Sequence, residues 1–245
     1  MSKLDKALVR YQDLGLIDYK KAWDYQTQLH QGLIENKLQN RELIKNELQS
    51  VQQTHHLLFC EHPPVYTLGK SGSLDHLLLN ESALEEGGFS FHKINRGGDI
   101  TYHGPGQIVG YPIFDLDYFM RDVHVYVRSL EEVVIKTLAE YDIDGMRIEK
   151  YTGVWIEPID KGAPFRKIAA IGVHLSRWVT LHGFALNVQP ILSHFNNIIP
   201  CGINDEGKDV TSMAKELGRE VNIGEVKNTL KKHFRDVFEF EWEEA

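Results

Sequence analysis

Two stretches of the chain keep apolar residues at the spacing of a helix face. Asp18 is a plausible N-cap for a helix over residues 19–46, because Ala22, Tyr25, Leu29 and Leu33 share one face. Beyond Leu33 the sequence turns polar, so this half is either a solvated helix or a loop. A better patterned apolar face over residues 123–138 follows Asp122 and predicts a second helix.

Shorter apolar runs bounded by Gly, Pro or polar residues predict strands. The predicted strands cover residues 57–60, 65–69, 89–94, 108–114, 153–157, 167–175 and 178–188. Ser176 and Arg177 separate the last two, which predicts a hairpin. Asn80 can cap a short helix that ends at Glu86, with Gly87 as its stop. Two further helices are predicted over residues 212–217 and 225–234. With no repeat or low-complexity linker, the pattern predicts one α/β or α+β domain.

Composition excludes several classes of protein. The 245 residues carry a net charge of −8, which argues against a nucleic-acid surface as the main function. No apolar segment approaches the roughly 20 residues of a membrane span, and the N-terminus lacks the apolar core of a signal peptide. The only two cysteines are Cys60 and Cys201, so a disulfide framework is not expected. A reducing, cytoplasmic compartment fits best.

The segment over residues 96–107 reads R-G-G-D-I-T-Y-H-G-P-G-Q and is the first candidate for function. Glycines let backbone approach a ligand closely, and Arg96, Thr101, Tyr102, His103 and Gln107 supply hydrogen-bonding groups. A Gly-Pro turn between two strands is the simpler interpretation of such a stretch. Both interpretations remain open from these residues alone.

Cys201 and Lys167 are the candidate reactive groups. Cys201 stands between Pro200 and Gly202, where a turn can present a thiol to a cleft, although a structural cysteine in a loop fits equally well. Lys167 opens the predicted strand 167–175 and by itself is typical of a solvated strand end. If the two faced each other, a half-buried lysine–thiol pair would exchange its proton easily, which suits a nucleophile for acyl transfer. Cys60 lies inside an apolar run and is expected to be buried.

The sequence lacks the motifs of several other kinds of active site. The twelve histidines are scattered without a metal-ligand spacing, so no metal site is expected. The sequence contains no G-x-x-x-x-G-K-[ST] phosphate loop and no G-x-S-x-G nucleophile turn. We interpret His103 as a binding or framework residue, although general base catalysis is open to it.

Taken together, the motifs resemble the lipoyl (octanoyl) transferase family almost from end to end. They run in order as G-L-I-D-Y-K-K-A-W, E-H-P-P-V-Y-T-L-G-K, R-G-G-D-I-T-Y-H-G-P-G-Q, K-I-A-A-I-G-V-H, R-W-V-T-L-H-G-F-A-L-N-V, I-I-P-C-G-I and V-T-S-M. Each motif is weak alone, whereas their order and spacing are specific.

The resemblance implies an acyltransferase that moves an octanoyl or lipoyl group from acyl carrier protein to a lysine of lipoyl domains. The acceptors implied are the lipoyl domains of 2-oxo acid dehydrogenases and the H protein of glycine cleavage, with no cofactor, nucleic acid or membrane. The implied fold is a single α+β domain over residues 1–245, with a mixed sheet flanked by helices, as in biotin and lipoate protein ligases. Cys201 would carry the acyl thioester and Lys167 would tune it. Substrate contacts would fall on Arg96, Gly97, Gly98, Asp99, Ile100, Thr101, Tyr102, His103, Ala170, Ile171, Gly172, Gly183, Phe184 and Ala185.

Two other functions are compatible with parts of this pattern. An ATP-dependent lipoate or biotin ligase of the same fold would use the Gly-rich segment to hold an acyl-adenylate, but it has no need of Cys201. A catalytically silent protein that binds lipoyl domains or acyl carrier protein would tolerate the loss of Cys201 or Lys167, and both are present.

Overall fold

A mixed nine-stranded sheet forms the centre of the computed structural model, which describes residues 6–199 and 208–244. Eight of its strands lie in the order β12-β1-β2-β6-β10-β9-β8-β7, and β11 pairs with β9 outside that row. The strands of this sheet are β1 (Leu8–Leu16), β2 (Thr54–Glu61), β6 (Gln107–Ile113), β7 (Gly145–Ile148), β8 (Tyr151–Ile156), β9 (Phe165–Ser176), β10 (Val179–Asn187), β11 (Lys208–Val210) and β12 (Glu241–Trp242). Three shorter strands form a second sheet in the order β4-β3-β5, namely β3 (Val65–Leu68), β4 (Ser90–Lys93) and β5 (Ile100–His103).

The longer helices cover the two faces of the large sheet. They are α1 (Tyr19–Lys45), α3 (Val123–Ala139) and α5 (Ile223–Phe238), and the short ones are α2 (Glu81–Glu86) and α4 (Met213–Leu217). Helices α3 and α5 pack on one face around an aromatic and aliphatic core that includes Phe59, Phe184 and Phe234. Helix α1 covers part of the opposite face, where Leu33 packs near Leu58 and Leu181. The expected α+β architecture is confirmed.

The polar half of α1 lacks an apolar stripe. It remains helical because buried polar side chains bond it to the rest of the protein. The Lys37 ammonium donates to the Asp115 carboxylate at 2.6 Å and to the Arg177 carbonyl at 2.9 Å. One turn further, the Asn40 side chain makes two hydrogen bonds, 2.7 and 2.8 Å, with the backbone of Val51. Of the two sequence interpretations of this segment, the helix is the one observed, through Lys45.

The hairpin between β9 and β10 turns one residue later than the sequence predicts. Ser176 is still in β9 and pairs with Val179, so the two loop residues are Arg177 and Trp178. Their φ angles of 52° and 68° are those of a two-residue turn with both central residues left-handed, a geometry that favours Asn and Gly. Neither residue type is present, which is why the sequence placed the turn wrongly.

The predicted helix caps are confirmed. The side chain of Asp18 accepts from the Lys21 N–H, that of Asn80 from the Ala83 N–H, and that of Asp122 from the N–H groups of His124 and Val125. None of the helices within residues 6–199 and 208–244 has the length and apolar character that crossing a membrane requires.

Strand β9 is the junction that positions the site. Over most of its length it pairs with β10, from Ser176 back to Ala169. Beyond that point β11 takes the place of β10, and Val210 pairs with Lys167. On its other side β9 pairs with β8, where Trp155 is opposite Lys167. Lys167 therefore lies on backbone held by strands from both sides.

Candidate functional site

A cavity of about 460 Å³ lies between the α1 face of the large sheet and the Gly-rich segment. Its floor comes from three neighbouring strands, β6, β10 and β9. One row across them consists of Val109, Ala185 and Ala170, and Gly183 pairs with Gly172 in the next row. The small, apolar side chains of the Val109 row leave room above the sheet.

Most of the residues that the sequence analysis assigned to substrate contacts lie around this cavity. They are Arg96, Gly98, Asp99, Ile100, Thr101, His103, Ala170, Ile171, Gly172, Gly183, Phe184 and Ala185, together with Lys167. Gly97 and Tyr102 do not line it. The Gly97 N–H donates to the Val173 carbonyl at 2.9 Å, and the Tyr102 ring packs in the second sheet with its hydroxyl 2.7 Å from His194 Nδ1. Cys201 lies outside the described residues.

The Gly-rich segment is part turn and part strand. The turn reaches Gly98, whose φ of 84° suits glycine, and Ile100–His103 then runs antiparallel to β3. The Gly97 bond to Val173 ties this segment to β9. A Cβ on Gly172 would lie 3.0 Å from both Arg96 Cδ and the Gly97 carbonyl oxygen. The missing side chain at Gly172 therefore lets the Gly-rich segment approach the sheet, and the space above it is already filled.

Arg96 is buried, and its guanidinium group is hydrogen-bonded within the protein. Its Nη2 donates to the Thr67 carbonyl at 2.7 Å and to the Thr67 hydroxyl at 3.0 Å, and its Nη1 donates to the Gly97 carbonyl. Nε makes no hydrogen bond to any residue within 6–199 and 208–244. Burial lowers the pKa of Arg96, but a guanidinium stays charged in proteins. The cavity wall thus contains a fixed positive charge, and its buried Nε–H group has no hydrogen-bond partner among the described residues.

Asp99 is the acidic residue of the Gly-rich segment, and its carboxylate is hydrogen-bonded within the protein. One carboxylate oxygen accepts from the Ile100 N–H at 2.7 Å, and the other lies 2.5 Å from His76 Nδ1. The carbonyl of His76 in turn accepts the Ile199 N–H at 2.8 Å. The carboxylate therefore links the Gly-rich segment to backbone that lies two residues before Cys201.

His103 lines the cavity together with Tyr19 and Arg96. Its ring is stacked on Tyr19, with centroids 6.0 Å apart, and its Nδ1 is 2.7 Å from Gln107 Oε1. Burial, with smaller contributions from His62 and Arg96, lowers its pKa to about 3. His182 lies nearby and burial likewise lowers its pKa to about 3, while its Nε2 is 2.7 Å from Asn95 Oδ1. Both histidines are therefore neutral at physiological pH.

Lys167 also lines the cavity, at the point where β9 leaves β10 and pairs with β11. Its Nζ is 4.5 Å from the centre of the Trp155 ring, and its carbonyl accepts the Thr211 N–H at 3.0 Å. Lys150 and Arg96 also line the cavity, whereas the one carboxylate among the described lining residues is Asp99. The lining is thus positive in a chain whose net charge is −8.

Several lining residues were not among the substrate contacts that the sequence analysis assigned. Gln107 and Asn187 stand in quoted motifs, and Tyr19 follows the predicted helix cap, so the sequence held a signal for these three. Nothing in the sequence singled out residues 150–152 or Phe195, because they reach the cavity only through the fold. Within residues 6–199 and 208–244, no group of three His, Cys, Asp or Glu side chains is arranged to hold a metal ion.

Comparisons with known proteins identify relatives of the whole chain. A curated octanoyltransferase from Cytophaga hutchinsonii is 55% identical, with 98% of this chain and 96% of the relative covered. Another, from Flavobacterium psychrophilum, is 58% identical, with 94% and 97% covered.

Solved structures show the same fold at low sequence identity. A bipartite lipoate protein ligase from Thermoplasma acidophilum superposes with a TM-score of 0.66 at 16% identity, covering 99% of this chain and 87% of that one. Lipoate-protein ligase A bound with ATP gives 0.65 at 16% identity, with 98% and 88% covered. The lipoate-ligase fold expected from the sequence is confirmed. The profile of the lipoyl protein ligase A/B catalytic domain matches residues 18–235, and with relatives this similar the chain belongs to that family.

Proposed function

We propose that this protein is an octanoyltransferase that moves an octanoyl or lipoyl group from acyl carrier protein to a lysine of a lipoyl domain, through a thioester on Cys201. The observation that carries the proposal is the position of Lys167, at one end of a cavity whose floor is apolar. The octanoyltransferases from Cytophaga hutchinsonii and Flavobacterium psychrophilum support the acyl group and the reaction type.

The row Val109, Ala185 and Ala170 is the surface on which the acyl chain would lie. All three residues line the cavity, and none carries a polar side chain. Burying the seven carbons beyond the carbonyl would contribute at most about 5–6 kcal/mol to binding.

In the first half-reaction Lys167, as a neutral amine, takes the proton of the Cys201 thiol. The thiolate attacks the thioester carbonyl, a carbon–sulfur bond to Cys201 forms, and the bond to the carrier's sulfur breaks. Lys167 returns its proton to the departing carrier thiolate. Val210 supports this pairing, because it follows Cys201 by nine residues, pairs with Lys167 and lines the same cavity.

In the second half-reaction the amine of the acceptor lysine attacks the Cys201 thioester. Lys167 takes a proton from the attacking nitrogen and passes it to the Cys201 thiolate as the amide forms and the thioester bond breaks. Aminolysis of a thioester is downhill, so the cycle needs no nucleotide or other cofactor. The acceptors we propose are lipoyl domains of 2-oxo acid dehydrogenases and the glycine cleavage H protein, in a cytoplasm that keeps the thiol reduced.

The other cysteine does not compete as a nucleophile. Cys60 is fully buried in β2, and burial raises the pKa of its thiol well above the usual range. Its Sγ is 3.4 Å from His62 Nε2, which is itself 2.7 Å from the Tyr111 hydroxyl. Cys60 therefore provides a matched control for labelling experiments.

Intact-mass measurement after incubation with octanoyl carrier protein, without nucleotide, tests the proposal. Wild type and Cys60→Ser should each gain one octanoyl mass that hydroxylamine removes, and Cys201→Ser should gain none. Lys167→Arg keeps a cation over Trp155 but cannot release its proton, so transfer should fall about 10²–10⁴-fold. Labelling of Cys201→Ser, or labelling that requires ATP, would contradict the thioester mechanism.

A further inference from the structure

A buried chain of hydrogen bonds runs from His103 to the backbone of Lys167. His103 Nδ1 is 2.7 Å from Gln107 Oε1, and Gln107 Nε2 donates to Asn187 Oδ1 at 2.8 Å. Asn187 Nδ2 donates to the Thr211 carbonyl at 2.9 Å, and the Thr211 N–H donates to the Lys167 carbonyl at 3.0 Å. All the side chains that form these bonds are at least nine-tenths buried.

The direction of every bond in this chain follows from its fixed end. A backbone carbonyl can only accept, so the Thr211 oxygen requires the amide nitrogen of Asn187 to face it and turns Oδ1 towards Gln107. Gln107 must then present its amide nitrogen to Asn187. The Tyr102 carbonyl, 3.3 Å from the same nitrogen, requires that orientation independently.

This orientation leaves Gln107 Oε1 facing His103, and an amide oxygen accepts only. His103 Nδ1 must therefore carry the proton, and in the neutral ring Nε2 must be a bare acceptor. Burial keeps the ring neutral, since the pKa of His103 is lowered to about 3. Within residues 6–199 and 208–244 nothing hydrogen-bonds to Nε2, and His103 is part of the cavity wall.

We infer that Gln107 and Asn187 are positioning residues that hold His103 as its Nδ1–H tautomer, so that Nε2 accepts a hydrogen bond from the attacking amine. The inference rests on the proposed function. An octanoyl thioester brings a carbonyl acceptor to the reacting centre, and the amine is the reactant that brings N–H donors there. Nε2 orients the amine, and Lys167 still receives its proton.

Asparagine and glutamine provide a matched pair of variants at this position. In His103→Asn the amide nitrogen can replace Nδ1–H towards Gln107, but nothing replaces Nε2. In His103→Gln the longer side chain can carry its oxygen to the place of Nε2. Release of the acyl group from the preformed Cys201 thioester to a lipoyl domain, measured in a single turnover, should slow about tenfold in His103→Asn. His103→Gln should recover most of that loss.

Gln107→Glu gives a pH signature that a purely structural role would not produce. The new carboxylate at 2.7 Å from Nδ1 raises the pKa of His103, and the protonated ring can no longer accept at Nε2. The acyl-transfer rate relative to wild type should therefore fall as pH is lowered through the raised pKa and recover above it. A ratio that is constant from about pH 5 to 9 would contradict the inference.

Ring nitrogen NMR of the ¹⁵N-labelled full chain reads the tautomer directly. Wild type should show His103 protonated at Nδ1 alone, and Asn187→Ala should show a larger share of the Nε2–H form. The Nε2–H tautomer in wild type, an unchanged ratio in Asn187→Ala, or wild-type transfer by His103→Asn would overturn the inference. Absence of any Cys201 thioester would instead defeat the proposed function and leave the tautomer measurement valid.

Discussion

The two faces of strand β10 show how one strand serves the fold on one side and the ligand on the other. Phe184 borders the cavity, but its ring packs on the core side between Phe59 and Phe234, with ring centroids 6.2 and 5.7 Å away. Its neighbours Gly183 and Ala185 lie on the cavity floor. The core face is filled with large apolar side chains. The cavity face has small residues bordered by buried histidines and Arg96, so stability and function are separable residue by residue.

Phe184→Ala tests the core face of β10 and should have the largest effect on stability. Removing a fully packed aromatic ring costs about 3–5 kcal/mol of unfolding free energy, because the cavity it leaves is only partly refilled. Urea denaturation measures the loss. Ala185→Gly, one residue along on the cavity side, is the control and should lose no more than about 1 kcal/mol. Similar losses in the two variants would show that the two faces do not differ in this way.

Gly172→Val and Ala185→Val compare two positions on the cavity face of the sheet. A valine at Gly172 collides with Arg96 and the Gly97 backbone, so it should cost about 1–3 kcal/mol and slow transfer for acyl donors of every length. A valine at Ala185 narrows the apolar row itself and should slow long donors more than short ones. Transfer rates with butanoyl, octanoyl and decanoyl donors separate the two cases. A length-dependent loss in Gly172→Val would mean that the chain lies over the glycine.

The smallest expected effects come from removing the caps of two helices. Asp18→Ala and Asp122→Ala each remove a capping carboxylate, which should cost about 1 kcal/mol in either helix. Only the first helix begins at the cavity, with Tyr19 against His103. Asp18→Ala should therefore also lower kcat/KM for transfer a few-fold, while Asp122→Ala leaves it at the wild-type value. Equal kinetic effects would show that Tyr19 does not depend on its cap.

Local sequence predicted those elements whose boundaries are set by nearby residues. The caps at Asp18, Asn80 and Asp122 are as expected, since a cap is a contact between residues two or three apart. The helical half of α1 beyond Leu33 was ambiguous because its anchors are distant, Lys37 meeting Asp115 across 78 residues. The strands β1, β5, β7, β11 and β12 were not predicted. Two of them have three residues or fewer, and pairing partners elsewhere in the chain define them.

The same division explains what was predicted of the site. Motif order placed Arg96, His103, Lys167 and Gly172 around one cavity, and the structure brings them together. Motif order could not indicate that the Asp99 carboxylate contacts His76, because the two residues meet only in the folded chain. The roles of Cys201 and Lys167 stay predictions.

The pairing of β1 with both β2 and β12 has a consequence for how the chain acquires its fold during synthesis. Leu8 lies opposite Thr54 on one side and Glu241 on the other, so the outermost strand pair joins residues more than 230 positions apart. A ribosome releases the last partner only after every other element has emerged. We expect a nascent chain that stops before Phe240 to leave β1 as an exposed edge, open to pairing with another chain. The same proximity makes Leu8 and Glu241 suitable points for a short linker in a circular permutant with new termini in an exposed loop.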